Sequence, residues 1–150
     1  MTTAENKALI RRFAEDASNR HDVDAVAAFM AVDTLNHGNP VGREGVRTVL
    51  RDIFTMFPDW HTTIDELVAE GDVVVSRHTT TATHLGMPIV RNAHNMRGIP
   101  PTGKPVIMKS IHIWHIKDGL ITSHVAARDD LETMIQIGLW PPADLATGTA

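Results

Sequence analysis

The fold of this chain turns on Lys109–Gly138, Lys-Ser-Ile-His-Ile-Trp-His-Ile-Lys-Asp-Gly-Leu-Ile-Thr-Ser-His-Val-Ala-Ala-Arg-Asp-Asp-Leu-Glu-Thr-Met-Ile-Gln-Ile-Gly. Two strand-like runs flank Lys117-Asp118-Gly119-Leu120. Asp-Gly between such runs marks a hairpin turn, because the turn needs positive φ and glycine supplies it without steric cost. Asp129-Asp130 follow, then Leu131, Met134, Ile135 and Ile137 at helical spacing. The stretch reads as hairpin, carboxylate pair, helix.

If Ile116 faces Ile121, alternation sets Trp114 beside Ser123 and His112 beside Val125 on one face, which continues to Ala127 and Asp129. A histidine and a carboxylate then share an apolar face. A β-bulge breaks this parity and brings His115 and His124 round instead.

Thr2 and Glu5 form a candidate capping box ahead of Leu9, Ile10, Phe13, Ala14 and Ala17, which predicts a first helix to about Asn19. Asp22 can cap a short second helix with Val23, Val26, Ala27 and Met30 on one side. Asp33–Arg43, with Asn36-His37-Gly38-Asn39-Pro40 inside it, reads as a loop. A third helix runs from about Arg43 to Phe57, striped by Val46, Val49, Leu50, Ile53 and Phe57 and stopped by Pro58. Three helices are thus expected before any strand. From Trp60 the period becomes two, and Glu70-Gly71-Asp72 divides a second hairpin whose later strand carries Ser76, His78 and Thr80 on one face. Leu85–Pro105 is the one long irregular stretch, and Trp140–Ala150 reads as a frayed tail. Helices first, then strands linked by hairpins, give an α+β architecture with the helices on one face of a mainly antiparallel sheet. A bent sheet covered this way leaves a pocket beneath the helices.

At 150 residues and 43% hydrophobic, residues 1–150 form one domain. The net charge of −4 and the lack of a Lys/Arg-rich run argue against a nucleic-acid partner. With no cysteine, disulfides, thiolate metal sites and a Cys nucleophile are excluded. No apolar run approaches membrane-spanning length and the N-terminus lacks a signal-peptide core, so a cytoplasmic protein without a membrane partner is expected. His112 and His115, three apart on a strand, point to opposite faces and do not converge on an ion, so no metal site is expected. No phosphate loop, nucleophile elbow or dinucleotide fingerprint is present.

Phe57-Pro58-Asp59-Trp60, Glu70-Gly71-Asp72-Val73-Val74, Thr83-His84-Leu85-Gly86, Gly98-Ile99-Pro100-Pro101-Thr102-Gly103-Lys104, Lys117-Asp118-Gly119-Leu120-Ile121 and Arg128-Asp129-Asp130-Leu131, in this order, resemble the SnoaL-like polyketide cyclases of the NTF2-like (cystatin-like) superfamily. The resemblance implies a cone-shaped α+β barrel and a small homo-oligomer, a homodimer or homotetramer. It implies a pocket for a flat hydrophobic polycyclic polyketide and a cofactor-free intramolecular aldol ring closure driven by one aspartate. By motif that aspartate is Asp129, with Asp130 its rival, and a nearby histidine is His112 or His115. The sequence departs from the family at Val125 and His78, where aromatics are common. Relatives that hydroxylate anthracycline-type skeletons supply a second enzymatic reading, and a non-catalytic binding module a third.

Aldol closure removes a proton from a carbon flanked by carbonyls and returns one to the new alkoxide. One carboxyl group does both if burial among Trp114, Val125 and Ala127 raises its pKa, with His112 as a donor to the enolate. The competing role for Asp129 or Asp130 is to N-cap the last helix. Asn36, His37, His78, Trp114, Val125, His115 and Asp130 are the candidate substrate contacts.

Overall fold

The computed structural model describes residues 1–87 and 99–142. Helix α1 (Thr3–Arg11) starts at the expected capping box: Thr2 accepts from the Glu5 amide, and the Glu5 carboxylate accepts from Thr2. The helical path continues through a π-helical segment (Arg12–Ala17) and a 3-10 turn (Ser18–Arg20). Asp22 caps α2 (Val23–Ala28) through the Ala25 amide. Helix α3 (Gly42–Met56) and the last helix α4 (Asp130–Gln136) match the expected stretches within a residue or two.

One expectation fails. Asp33–Arg43 is not a loop between helices, and strands precede the third helix: β1 (Met30–Asn36) turns into β2 (Asn39–Pro40). His37 and Gly38 take φ of 50° and 77°, the pattern of the Asp118-Gly119 turn, at 51° and 77°. Both are two-residue hairpins with positive φ at both centres. Met30 accordingly belongs to β1, where it is buried, rather than to α2.

The remaining strands are β3 (His61–Glu70), β4 (Val73–Thr83), β5 (Pro105–Lys117) and β6 (Leu120–Arg128). The sheet order is β2-β1-β6-β5-β4-β3, antiparallel except for the parallel β1–β6 pair. Helices pack on one face of this curved sheet, as the α+β reading expects. One apolar cluster joins Leu9, Ile10 and Ala14 to Val74, Trp114, Ile116 and Ile121; a second joins Met56 and Phe57 to Ala82, Val106 and Ile137. Gly86 allows the chain to cross the end of α3, since a Cβ there would meet the Thr55 carbonyl oxygen at 2.0 Å. Most of the expected irregular stretch (88–98) and the end of the tail (143–150) lie outside the described residues.

The β5–β6 hairpin carries the bulge that alternation leaves open. Ile116 faces Ile121, but His115 then pairs with Ser123, so Thr122 is an extra residue on β6. Beyond it Trp114 pairs with His124, His112 with Ala126 and Ser110 with Arg128. The expected pairs Trp114–Ser123 and His112–Val125 are therefore corrected by one residue.

Candidate functional site

Between the helices and the inner face of the sheet lies a cavity of about 330 Å³, at the lower end of the range for small-molecule sites. Its helical wall is apolar: Phe13 and Ala14, then Val46, Val49, Leu50 and Ile53 from the stripe of α3. The sheet wall is polar, because alternation on β4, β5 and β6 presents His78 and Thr80, Ser110, His112 and Trp114, and His124 and Arg128.

Two hydrogen-bonded chains organise that wall. In the first, Asn36 Oδ1 lies 3.1 Å from His124 Nδ1, His124 Nε2 lies 2.9 Å from His112 Nδ1, and His112 Nε2 lies 2.8 Å from Ser110 Oγ. In the second, Trp114 Nε1 donates to Ser76 Oγ at 2.8 Å, which lies 2.7 Å from His78 Nε2. His78 Nδ1 contacts Thr62 Oγ1, which accepts from Thr80 Oγ1. An indole N–H only donates, so Ser76 Oγ accepts from Trp114 and keeps a second lone pair and its own hydrogen for the contact with His78 Nε2.

The rings also stack. His112 lies nearly parallel to Trp114, with centroids 5.2 Å apart, and Trp114 and His124 are 4.2 Å apart; His78 is tilted by 48° against His112 at 4.6 Å. Burial disfavours the imidazolium form of all three. It pushes His78 down to about 4, with Asp65 opposing weakly. His112 falls to about 2, chiefly by burial and then by repulsion from His78, His124, Arg128 and His37. His124 falls to about 3, by burial and then by repulsion from His37, Arg128 and His78. The three imidazoles of the polar wall are thus uncharged at neutral pH.

Of the candidate residues, Asn36, His37, His78, His112, Trp114, Asp129 and Asp130 all line the cavity. Val125 and His115 do not: the Thr122 bulge turns Val125 to the outer face of the sheet, where it is 40% exposed, while His115, expected to come round with a bulge, stays on the outer face because β5 alternates without interruption. Asp129 is the N-cap of α4, its Oδ1 accepting from the Glu132 amide at 3.1 Å. The burial expected for its carboxyl is absent, because Val125 and Ala127 point away and Asp129 is exposed at the cavity rim. Asp130 pairs with Arg128, Nε to Oδ1 at 3.3 Å. Both His112 nitrogens are engaged, so this ring does not offer the free donor expected of it.

Sequence reasoning missed Ser110, Arg128, Thr34 and Trp60 on the cavity wall, and it had His124 only as the outcome of a bulge. Ser110 and Arg128 were legible once parity was known. Thr34 lies in the segment taken for a loop. Among the described residues no group of His, Asp and Glu side chains is arranged to hold a metal ion, and no helix is long and apolar enough to cross a membrane.

A family model, SnoaL-like polyketide cyclase, matches residues 8–137. No curated protein matches the chain in sequence. Among solved structures, AclR from Streptomyces galilaeus, described as a candidate hydroxylase, aligns with a TM-score of 0.78 and 25% identity over 93% of this chain and 100% of its own. TsrD from Streptomyces laurentii aligns with a TM-score of 0.78 and 28% identity over 92% of this chain and 98% of its own. IdmH from Streptomyces antibioticus, described as a candidate polyketide cyclase, gives a TM-score of 0.70 and 25% identity over 93% and 100%.

Proposed function

The chain belongs to the SnoaL-like polyketide cyclase family, and from that premise we propose that it closes a ring on an aromatic polyketide by cofactor-free intramolecular aldol addition. Asp129 is the acid/base. The observation that carries the reading is that its carboxyl stands at the rim of a cavity with an apolar helical wall and neutral imidazoles on its sheet wall. The helix cap uses Oδ1, which leaves Oδ2 for a substrate proton.

In the proposed cycle Asp129 Oδ2 takes a proton from a carbon flanked by carbonyls. The carbanion, delocalised as an enolate, attacks a second carbonyl carbon and forms the C–C bond. The alkoxide produced recovers the proton from Asp129, so no oxidant or cofactor is consumed. Arg128, across the ladder from Ser110 and on the cavity wall, is the proposed electrostatic partner of the developing oxyanion. His112 acts through Ser110 as a positioning residue. A planar ligand filling the cavity would itself cover Asp129 and remove water from it.

Asp129→Asn tests this. Asparagine is an equally good N-cap, so the fold should persist while turnover of a linear aromatic poly-β-ketone falls by about 10²-fold or more. Full activity in that variant rejects the assignment. The likeness to AclR, a candidate hydroxylase, favours hydroxylation as the second reading. Dependence of product formation on dioxygen would select it, because aldol closure consumes no oxidant.

The assembly proposed is a homodimer through the outer sheet face. There Val75, Ile113 and Val125 stand side by side across three strands, next to Ile111. Ile111, Ile113 and Val125 are 49%, 39% and 40% exposed, an apolar patch of the kind that marks an interface.

A further inference from the structure

Resting on the reading of this cavity as a polyketide site, we propose that the Asn36–His124–His112–Ser110 chain is a positioning device that presents Ser110 Oγ as a hydrogen-bond acceptor, with the Trp60 indole as a separate donor. The cavity is thereby selective for planar aromatic ketones that carry a free hydroxyl.

Polarity along the chain follows from what each atom can do. Asn36 Oδ1 only accepts, so His124 Nδ1 carries the hydrogen between them. A neutral imidazole has one donor and one acceptor, so His124 Nε2 accepts from His112 Nδ1. His112 Nε2 must then accept, and the atom facing it is the Ser110 hydroxyl. With its hydrogen committed, Ser110 offers a ligand lone pairs only. A ligand hydroxyl donates to it; an ether oxygen in the same place meets lone pair with lone pair.

The second chain is hydrogen-bonded within itself, through Trp114, Ser76, His78, Thr62 and Thr80. Two other polar atoms of residues on the cavity wall, Trp60 Nε1 and Thr34 Oγ1, are buried without a hydrogen-bond partner among the described residues. Indole donates only, so the ligand group that completes Trp60 is an acceptor such as a ketone oxygen. Such buried donors are costly to leave unpaired. Acceptor wall and donor wall together specify the ligand's pattern, a hydroxyl at one place and a carbonyl at another.

β-Hydroxyanthraquinone, its methyl ether and unsubstituted anthraquinone are suitable probes, titrated by calorimetry. The wild type should bind the hydroxy compound about tenfold more tightly than the ether. Ser110→Ala should bring that ratio to about one, and Trp60→Phe should weaken all three while keeping the ratio. Nitrogen NMR of the imidazoles supplies a signature that a merely structural role does not move: His112 and His124 should both be protonated at Nδ1. Asn36→Asp should keep this tautomer and Asn36→Leu should lose it, with the ratio falling in step. Equal binding of hydroxy compound and ether, or His112 protonated at Nε2, overturns the proposal. So does covalent capture of Ser110 by a fluorophosphonate, which would make it a nucleophile. Binding needs no turnover, so an Asp129→Asn protein that keeps the ratio separates the two readings: selective binding by an inactive wild type sinks the cyclase reading alone.

Discussion

The Trp114 and His124 rings stack with centroids 4.2 Å apart and planes 19° from parallel, a contact that exists because β6 carries Thr122 as one residue more than its partner strand. The same sequence could pair without a bulge, which would turn Val125 inward and His124 out. What favours the bulged register is His124 itself, through its stacking and its bonds to Asn36 and His112. Deleting Thr122 makes the regular register coincide with the present one. The deletion should therefore keep the fold and the near-ultraviolet circular dichroism of the stacked Trp114. His124→Ala should lose that signal and cost about 2 kcal/mol in urea melts, from the stacking and the partners left unpaired. A Thr122 deletion that unfolds the protein would show that the bulge itself, not His124, sets the register.

Stability should fall in mild acid. His78, His112 and His124 have folded-state pKa values lowered from 6.5 to about 4, 2 and 3. Above pH 6.5 the rings are neutral in both states and contribute no pH dependence. Below it the unfolded chain binds protons that the folded chain refuses, so stability drops as pH falls from 6.5 toward the folded values. The slope is at most about 1.4 kcal/mol per pH unit for each ring. Urea midpoints between pH 8 and pH 5 should show it, and His78→Gln should reduce the slope. A flat profile down to pH 5 would mean that the imidazoles are not held neutral.

Residues whose signals are local were legible in the sequence. The capping box at Thr2 and Glu5, the stripe of α3, the Asp118-Gly119 turn and the cap at Asp129 each depend on neighbours within a few positions, and each is where it was expected. Two things were not legible, for different reasons. The His37-Gly38 hairpin has the same positive-φ chemistry as Asp118-Gly119, but its second strand is two residues long and shows no alternation to detect. The Thr122 bulge shifts pairing by one residue, and such a shift exchanges an entire face. It moved Val125 out of the candidate site and His124 in. Nothing local marks it, because the contacts favouring it come from Asn36, 88 positions away.

The outer face offers a separate test. Ile113 stands between Val75 and Val125 in the ladder, away from the cavity. Ile113→Lys should dissociate the proposed dimer, read by sedimentation velocity, while changing the unfolding free energy of the protomer by no more than about 0.5 kcal/mol, as surface substitutions usually do. A wild type that sediments as a monomer at all concentrations rejects the interface.

Ser76 is fully buried and serves two rings at once, accepting from Trp114 Nε1 and facing His78 Nε2. Ser76→Ala removes one small hydroxyl but strands two buried polar atoms, so it should cost about 2 kcal/mol or more, well above what the lost volume explains. Trp114→Phe removes the indole N–H and with it half of that debt. In a double-mutant cycle the combined variant should therefore lose less than the two single losses added, by about 1 kcal/mol. Additive losses would mean that the Trp114–Ser76 hydrogen bond contributes nothing to stability.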